Sequence, residues 1–323
     1  MSKKKIIITI LILFILCLSI FFLKPILFKS NLETIENNNN IIEINLNKLQ
    51  DIDNYVKISG NNIYINNGGK YNISGILQNG TIYVDTKDEI IINLNNVTMT
   101  NEDTNIINNR KSSKLVINLE ENTNNILSDG ANSDAVIKSS GDLYIEGSGK
   151  LLIYANNKDG INSNSNLIIN NGVIYIAAKN DALVVTKELL INGGNFIGLG
   201  NKNMKEPNEL SKQNTLLLNF TESFPENFTF SLVDNSNKYL LNFISLKEFK
   251  TLILSNRYLK NGAYHILSDV ICYGEAENGI YEKIECSGGN RINIGITDTF
   301  NIKNKSNWYG KKEINIITPD NFV

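Results

Sequence analysis

Histidine and arginine are scarce in this chain, and their scarcity narrows the chemistry that it can perform. One histidine, His265, and three arginines occur among 323 residues. A metal site built from several histidines is therefore excluded, and a Ser-His-Asp triad has a single candidate for its base. The net charge of −2 supplies no basic surface, so we expect no nucleic-acid partner.

A long apolar run occurs once, at the N-terminus. Three lysines precede residues 6–23, which would span about 27 Å as a helix, close to the roughly 30 Å hydrocarbon core of a membrane. No small-x-small cleavage site follows this run. Residues 1–29 therefore predict a signal anchor with a transmembrane helix, and the chain after it would lie outside the cell membrane. The alternative is a cleaved signal peptide and a secreted protein.

The rest of the chain indicates an all-β protein. Residues 30–54 are polar and Asn-rich, as in a linker. From residue 55 onward, short runs rich in Ile, Leu, Val and Tyr are bounded by Asn, Gly, Asp or Ser, as in NIYIN, TIYVD, EIIINL, KLVINL and DLYIEG. Such runs are typical of short strands.

The strands recur at a regular spacing. The apolar residues that open successive units are Ile90, Leu115, Leu143, Leu167 and Leu189, at spacings of 25, 28, 24 and 22. Units of this length that hold two or three strands predict solenoid rungs, which bury their apolar faces by stacking. We therefore predict a parallel β-helix over residues 55–205.

Three aspartates occupy similar places in successive units. Asp134, Asp159 and Asp181 occur in SDAVI, KDGIN and NDALV, eight or nine residues before the next opening leucine. Stacked rungs lie about 4.8 Å apart, so these carboxylates would repel one another by roughly 1 kcal/mol per pair in water. A bound calcium ion would remove that repulsion. The alternative is that each Asp simply caps a tight turn.

The repeat ends after residue 205, and residues 206–310 read as antiparallel strands, followed by a tail over 311–323. Cys272 and Cys286 lie at equal distances from Gly279 in YGEAENGIYEKIE, whose Asn278-Gly279 pair favours a tight hairpin turn. The two cysteines would then lie nearly opposite each other. They form either a disulfide or a pair of free thiols.

Several tyrosines lie in the predicted strands of the helix. Strand alternation places some of them outward on a flat sheet face, where their rings can stack on sugars. Tyr144, Tyr154 and Tyr175 are the candidates for carbohydrate contact. The alternative is that they are ordinary strand residues inside the protein or on its sides.

These features occur in an order that resembles a known family. The chain from about Val56 to His265 is similar to the pectate-lyase-like carbohydrate-binding β-helix family of bacterial cell surfaces. The segments that carry the resemblance are KYNISGILQNGTIYVD (70–85), EIIINLNNVTMTN (89–101), the repeat over 114–161, GGNFIGLGNKN (193–203) and LKEFKTLILSNRYLKNGAYHI (246–266).

The resemblance implies a right-handed parallel β-helix, calcium held at acidic turns, and C-terminal strands that pack against the end of the helix. It implies Asp134, Asp159 and Asp181 as calcium ligands, with Asp142 and Glu188 as helpers. The family's turns tend to carry paired acids, whereas this sequence has no Asp-Asp pair.

The resemblance also implies a function. We expect a calcium-dependent polysaccharide-binding protein without catalytic activity, monomeric and anchored in the cell membrane, whose partner is an acidic or cellulosic glycan or a cell wall. A pectate-type lyase is the first alternative. Its candidate base is Arg110, because this is the only arginine that the repeat pattern places in a turn near the aspartates. A structural surface adhesin that binds no glycan is the second.

Overall fold

The computed structural model describes residues 41–311 except 203 and 296, and in this part of the chain it contains strands and no helix. Accordingly, no helix of this part is long and apolar enough to cross a membrane. The chain divides into two compact units, Met1–Ile41 and Ile42–Val323. The predicted membrane segment at residues 6–23 lies outside the described residues, as does most of the tail.

The helical part of the molecule contains eighteen strands. They are β1 (Ile41–Asn45), β2 (Val56–Ser59), β3 (Asn62–Ile65), β4 (Gly69–Gln78), β5 (Ile82–Val84), β6 (Ile90–Thr100), β7 (Ile107–Asn109), β8 (Lys114–Leu119), β9 (Asn124–Ser128), β10 (Ala135–Ser139), β11 (Asp142–Gly147), β12 (Lys150–Ala155), β13 (Asp159–Ser163), β14 (Leu167–Ile169), β15 (Val173–Ala178), β16 (Leu183–Val185), β17 (Leu189–Ile191) and β18 (Asn195–Gly200).

The C-terminal part contains eleven further strands. They are β19 (Thr215–Phe224), β20 (Thr229–Asp234), β21 (Tyr239–Ile244), β22 (Phe249–Asn256), β23 (Gly262–Ser268), β24 (Ile271–Cys272), β25 (Ile280–Tyr281), β26 (Cys286–Ser287), β27 (Asn290–Arg291), β28 (Phe300–Ile302) and β29 (Ser306–Tyr309).

The predicted parallel β-helix is confirmed, with about five turns and three lateral faces. Face 1 consists of β8, β11, β14 and β17; face 2 of β9, β12, β15 and β18; and face 3 of β5, β7, β10, β13 and β16. Within each face, neighbouring strands are parallel. The long strand β6 bends from face 1 to face 2, since it pairs with both β8 and β9.

The opening leucines identified in the sequence set the register of face 1. Leu115 pairs with Ile90 and with Leu143, and Leu167 pairs with Leu143 and with Leu189. All five side chains are fully buried in one apolar cluster that runs through the interior of the helix. Because a slip of one residue would turn each of these side chains out to solvent, burial holds the rungs in register.

The bend in β6 depends on asparagine chemistry. Asn96 adopts a left-handed backbone conformation (φ 54°), which asparagine tolerates better than most residues. The buried Asn125 side chain accepts the Val97 N–H at 2.9 Å and donates to the Lys150 carbonyl at 3.0 Å. A buried polar side chain therefore satisfies backbone groups at the corner, where the regular pairing is interrupted.

The antiparallel strands predicted after the helix are confirmed, but they do more than close its end. Strand β22 pairs with β18, the last strand of face 2, and extends that sheet through β19 and β29. A second sheet, in the order β25-β21-β20-β23-β27, shares a buried apolar cluster with outward side chains of face 2. Face 2 is thus covered laterally as well as at its edge.

The two cysteines of the C-terminal part are joined in the structure. Cys272 on β24 pairs with Cys286 on β26, and a disulfide with an S–S distance of 2.02 Å links them. Asn278 and Gly279 both have positive φ angles, 50° and 79°, as a type I′ turn requires. The hairpin register expected from the sequence is therefore the one observed.

This hairpin leads to a prediction about the thiols. Alkylation of the denatured, non-reduced protein is expected to modify one cysteine, Cys17, whereas alkylation after reduction should modify all three. Mass spectrometry distinguishes these outcomes, and three modified cysteines without reduction would contradict the bridge. Replacing both bridged cysteines by serine should lower the free energy of unfolding by about 3 kcal/mol at most, because the closed loop is short.

Candidate functional site

The turn that leads into face 3 brings two acidic side chains together. Ile161 pairs with Leu183, which lies 22 residues later in the chain. Asp159 and Asp181 are also 22 residues apart, so they lie at the same level on successive rungs. The backbone N–H of Asp181 donates to Oδ1 of Asp159 at 3.2 Å. Two carboxylates therefore stack at one corner of the helix.

Asp134 is not the third member of this column. Strand β10 pairs with β13 so that Ala135, not Asp134, faces Asp159. The Asp134 carboxylate forms an ion pair with Lys138 and accepts a hydrogen bond from Asn105 at 2.8 Å. Asp134 is thus offset by one residue from the column, because the buried Ile137–Ile161 pair sets the register, although its charge still contributes to the raised pKa of Asp159.

The Asp159–Asp181 pair is electrostatically strained. Burial, together with the nearby Asp159 carboxylate, raises the pKa of Asp181 to about 7, and burial also raises the pKa of Asp159. Oδ1 of Asp181 is buried and has no hydrogen-bond partner among the described residues. A buried oxygen without a partner is costly, so this site favours either a proton or a cation.

A further acidic residue at the same corner was missed by the sequence reasoning. Asp129, one rung earlier, is buried; its Oδ1 accepts the backbone N–H of Asn156 at 2.6 Å. Its Oδ2 has no partner within the described residues, and burial raises its pKa. The signal was present in SDGANSDA, where Asp129 precedes Asp134 in one long turn.

The two predicted helper acids lie elsewhere. Asp142 opens β11 on face 1 and accepts hydrogen bonds from Ser165 and from Asn166. Glu188 precedes β17 and accepts a hydrogen bond from Asn208 at 2.6 Å. Since a whole strand of face 3 separates these turns from Asp159 and Asp181, neither helper shares their site.

The donor set at the corner fits a cation only in part. Asp159 and Asp181 supply two stacked carboxylates, and backbone carbonyl oxygens are the further ligands that calcium accepts. Among the described residues, no three His, Cys, Asp or Glu side chains converge closely enough to hold a metal ion. The corner therefore offers a cation two carboxylates, and any further ligands would have to be carbonyl or water oxygens.

Arg110 stands apart from the aspartates. It follows β7, at the opposite end of the face 3 strands, about 20 Å from the acidic corner at the usual strand rise. Its guanidinium forms a two-pronged ion pair with Asp85 and lies 4.2 Å from the Tyr83 ring centroid. The expectation that Arg110 lies near the acidic column is wrong, because turns at both ends of a strand look alike in the sequence.

Two of the three candidate tyrosines are covered by the C-terminal sheet. Tyr175 is fully buried; its hydroxyl donates to the Ile244 carbonyl at 2.6 Å. Tyr154 donates to the Leu246 carbonyl at 3.0 Å, and Lys247 Nζ lies 4.0 Å from its ring centroid. The expected sugar contact through Tyr175 is therefore wrong, and Tyr154 is largely occupied by protein.

Tyr144 lies on face 1, within a regular outer surface. It pairs with Val116 and Ile168, which are buried, and the half-exposed Ile91 and Leu190 continue this apolar row on either side. A second row, two residues further along the strands, carries amides that bond from rung to rung. Its members are Asn72, Asn93, Asn118, Asn170 and Asn192, with Glu146 between the third and fourth.

This surface has the chemistry of a flat platform. The half-exposed members of the apolar row, Ile91, Tyr144 and Leu190, offer contact to the C–H groups of a sugar ring. An amide can donate and accept hydrogen bonds at the same time, as a sugar hydroxyl can. Both rows repeat at the rung spacing of about 4.8 Å. Face 1 can therefore contact an extended polymer along several rungs.

Comparison with known proteins agrees with this geometry. Residues 59–213 match the family described as "Carbohydrate-binding domain-containing protein". This match confirms the resemblance of residues 59–213 to a carbohydrate-binding family, and the structure shows that these residues lie largely in the β-helix.

Among solved structures, a polysaccharide lyase-like protein from C. thermocellum, determined as a gadolinium derivative, is 28% identical; the match covers 48% of this chain and 68% of that chain with a TM-score of 0.46. No curated protein matches the chain.

The raised pKa of Asp181 predicts a pH-dependent effect of substitution. An unfolded Asp ionises near pH 4, whereas Asp181 in the folded protein ionises near pH 7. The folded state of the wild type therefore loses stability relative to Asp181→Asn as the pH rises from 4 to 7. In a chelator, the variant should gain about 1–2 kcal/mol over this interval, because partial exposure reduces the full effect.

Asp134→Asn is the control for this measurement. Burial alone would raise the pKa of Asp134, but hydrogen bonds from Asn105 and Lys138 hold it below its ordinary value. This variant should therefore become less stable than the wild type as the pH rises from acid through about 4. Urea unfolding at a series of pH values measures both effects. An Asp181→Asn difference that is constant from pH 4 to 7 would contradict the assignment.

Proposed function

We propose that the protein binds a polysaccharide along face 1 of its β-helix, does not cleave it, and relies on calcium bound at Asp159 and Asp181. The observation that supports binding most directly is the surface of face 1, where the apolar row through Tyr144 runs beside the asparagine row. The carbohydrate-binding family matched by residues 59–213 supports the same ligand class.

Calcium would act at the corner between faces 2 and 3. An ion held by the carboxylates of Asp159 and Asp181 would use the partnerless Oδ1 of Asp181 and remove the repulsion between the two rungs. The ion would then stabilise the stacked rungs whose strands also form face 1. Polysaccharide binding would depend on calcium because the ion stabilises the β-helix. A carboxylate of the ligand that reaches this corner would add a direct contact to the ion.

The absence of cleavage is supported by the position of Arg110. A lyase of the pectate type requires a cationic base close to the calcium-bound uronate. Arg110 is held by Asp85, stacks on Tyr83 and lies at the far end of face 3. A calcium-dependent lyase remains the alternative to be tested.

We also propose that residues 6–23 anchor the protein in the cell membrane, with the β-helix outside the cell. The apolar run and the lysines before it support this orientation, since positive charge favours the cytoplasmic side. A disulfide between Cys272 and Cys286 is consistent with an oxidising, extracellular environment.

Binding is tested by co-sedimentation of the full-length protein, in detergent, with insoluble cellulose, pectin and purified cell wall. We expect the protein to bind at least one of these polymers in calcium and to bind less in a chelator. Tyr144→Ala should weaken binding by about tenfold, because an aromatic anchor commonly contributes more than 1 kcal/mol. Asp159→Asn should remove the calcium dependence, and Asp134→Asn should preserve it. Equal sedimentation of wild type and Tyr144→Ala would refute the role of face 1.

Catalysis is tested with polygalacturonate and calcium. Elimination by a lyase produces unsaturated uronates, which absorb in the ultraviolet, and we expect no increase in absorbance with the wild-type protein. A steady increase that disappears in Arg110→Ala would establish a lyase instead. Lys111→Ala, which alters the neighbouring charge in the same turn, serves as the matched control.

A further inference from the structure

A deep groove lies between the β-helix and the C-terminal part of the molecule. Its volume is about 820 Å³, within the range of pockets that bind organic ligands. One side is formed where β12 and β18 begin, at Lys150 and Asn195, and by the end of β22, which pairs with β18. The other side is formed by β21 and by the loop between the two bridged cysteines. The groove lies on the opposite edge of face 2 from the acidic corner.

The loop that forms one wall is fixed at both ends. At its base, the disulfide joins Cys272 to Cys286. At its tip, Asn278 donates a hydrogen bond to the Asn124 side chain, and Lys150 on the helix forms ion pairs with Glu277 at 2.5 Å and with Glu282 at 2.8 Å. Because these contacts hold the wall in place without a ligand, little conformational entropy is lost when a ligand enters.

The lining of the groove is polar but electrically balanced. Three acidic and three basic side chains line it, together with five asparagines and three tyrosines. Lys150 is already neutralised by two of the acids. A polyanion would meet Glu277 without a surplus of positive charge to compensate, so the charges disfavour an acidic glycan. Amide and phenol groups instead match the hydroxyl groups of a neutral sugar.

An exposed aromatic ring gives the groove an anchor. Tyr258 is 57% exposed, although it is a large side chain, and the Arg257 guanidinium lies 5.8 Å from its ring centroid. Arg257 forms no ion pair within the described part of the chain. The side chains of Asn195 and Asn256 are joined by a hydrogen bond of 2.9 Å along the same wall. Asn256 is buried, and its oxygen accepts the Tyr258 N–H at 2.7 Å, so it positions both Asn195 and Tyr258. An aromatic face beside the amide of Asn195 can receive both the apolar and the polar edges of a sugar ring.

We propose that this groove is a second carbohydrate site, which binds a neutral glycan segment without calcium. The proposal rests on the proposed function for its ligand class, carbohydrate. It uses neither the rows of face 1 nor the Asp159–Asp181 pair. Tyr258 supplies the stacking surface, and the half-buried Asn195 supplies hydrogen bonds from its amide nitrogen to ring hydroxyls, while the buried Asn256 holds the Asn195 side chain in place.

Isothermal titration calorimetry of the full-length protein in detergent tests this site. Cellohexaose and chitohexaose are the neutral probes, hexagalacturonate is the acidic probe, and each is titrated with a chelator present. At least one neutral hexasaccharide is expected to bind with a Kd of about 1 mM or tighter. Tyr258→Ala should weaken that binding about tenfold.

Tyr273→Ala is the matched control, since Tyr273 is 68% exposed and does not line the groove. It should bind the neutral hexasaccharide as the wild type does. The proposal is overturned if neither neutral probe binds in the chelator, if hexagalacturonate binds more tightly than both, or if Tyr258→Ala has no larger effect than Tyr273→Ala. Loss of this binding in Tyr144→Ala with none in Tyr258→Ala would assign the neutral probe to face 1 and also overturn the proposal.

Discussion

The in-register stacking of parallel rungs is the constraint on which the rest of this structure depends. Within each face, backbone hydrogen bonds join neighbouring strands from rung to rung, at the usual spacing of about 4.8 Å. The buried residues Leu115, Leu143, Leu167 and Leu189 hold these rungs in alignment. Every outward position is therefore repeated as a row along the molecule.

Whether a row is favourable depends on the side chain that repeats. Asparagines form a stable row on face 1, because each amide can donate to the next one, as Asn118 does to Asn93 at 3.1 Å. Tyr64 and Tyr83 also stack well, with ring centroids 5.1 Å apart, and Arg110 continues the stack. Stacked carboxylates repel each other, so the Asp159–Asp181 pair is stabilised when a proton or a cation reduces its negative charge.

The C-terminal sheet changes the role of one face. Tyr175, Ile197 and Leu199 point outward from face 2, yet they share a buried cluster with Phe230 and Phe243 of the added sheet. Face 2 is thereby covered, whereas face 1 keeps its outward rows of Tyr144 and the asparagines. The same packing creates the groove along the margin of face 2, whose wall is the loop closed by the disulfide.

The sequence by itself determined the β-helix, its register on face 1 and the cysteine hairpin. Each depends on local patterns: apolar residues at rung spacing, which must be buried, and an Asn-Gly turn placed midway between Cys272 and Cys286. Only the tertiary structure showed that Asp134 is offset from Asp159 and Asp181, that Arg110 lies at the far end of face 3, and that the C-terminal sheet covers Tyr175. Turn lengths do not reveal which rung positions align, and strand alternation shows that a side chain points outward but not whether another sheet covers it.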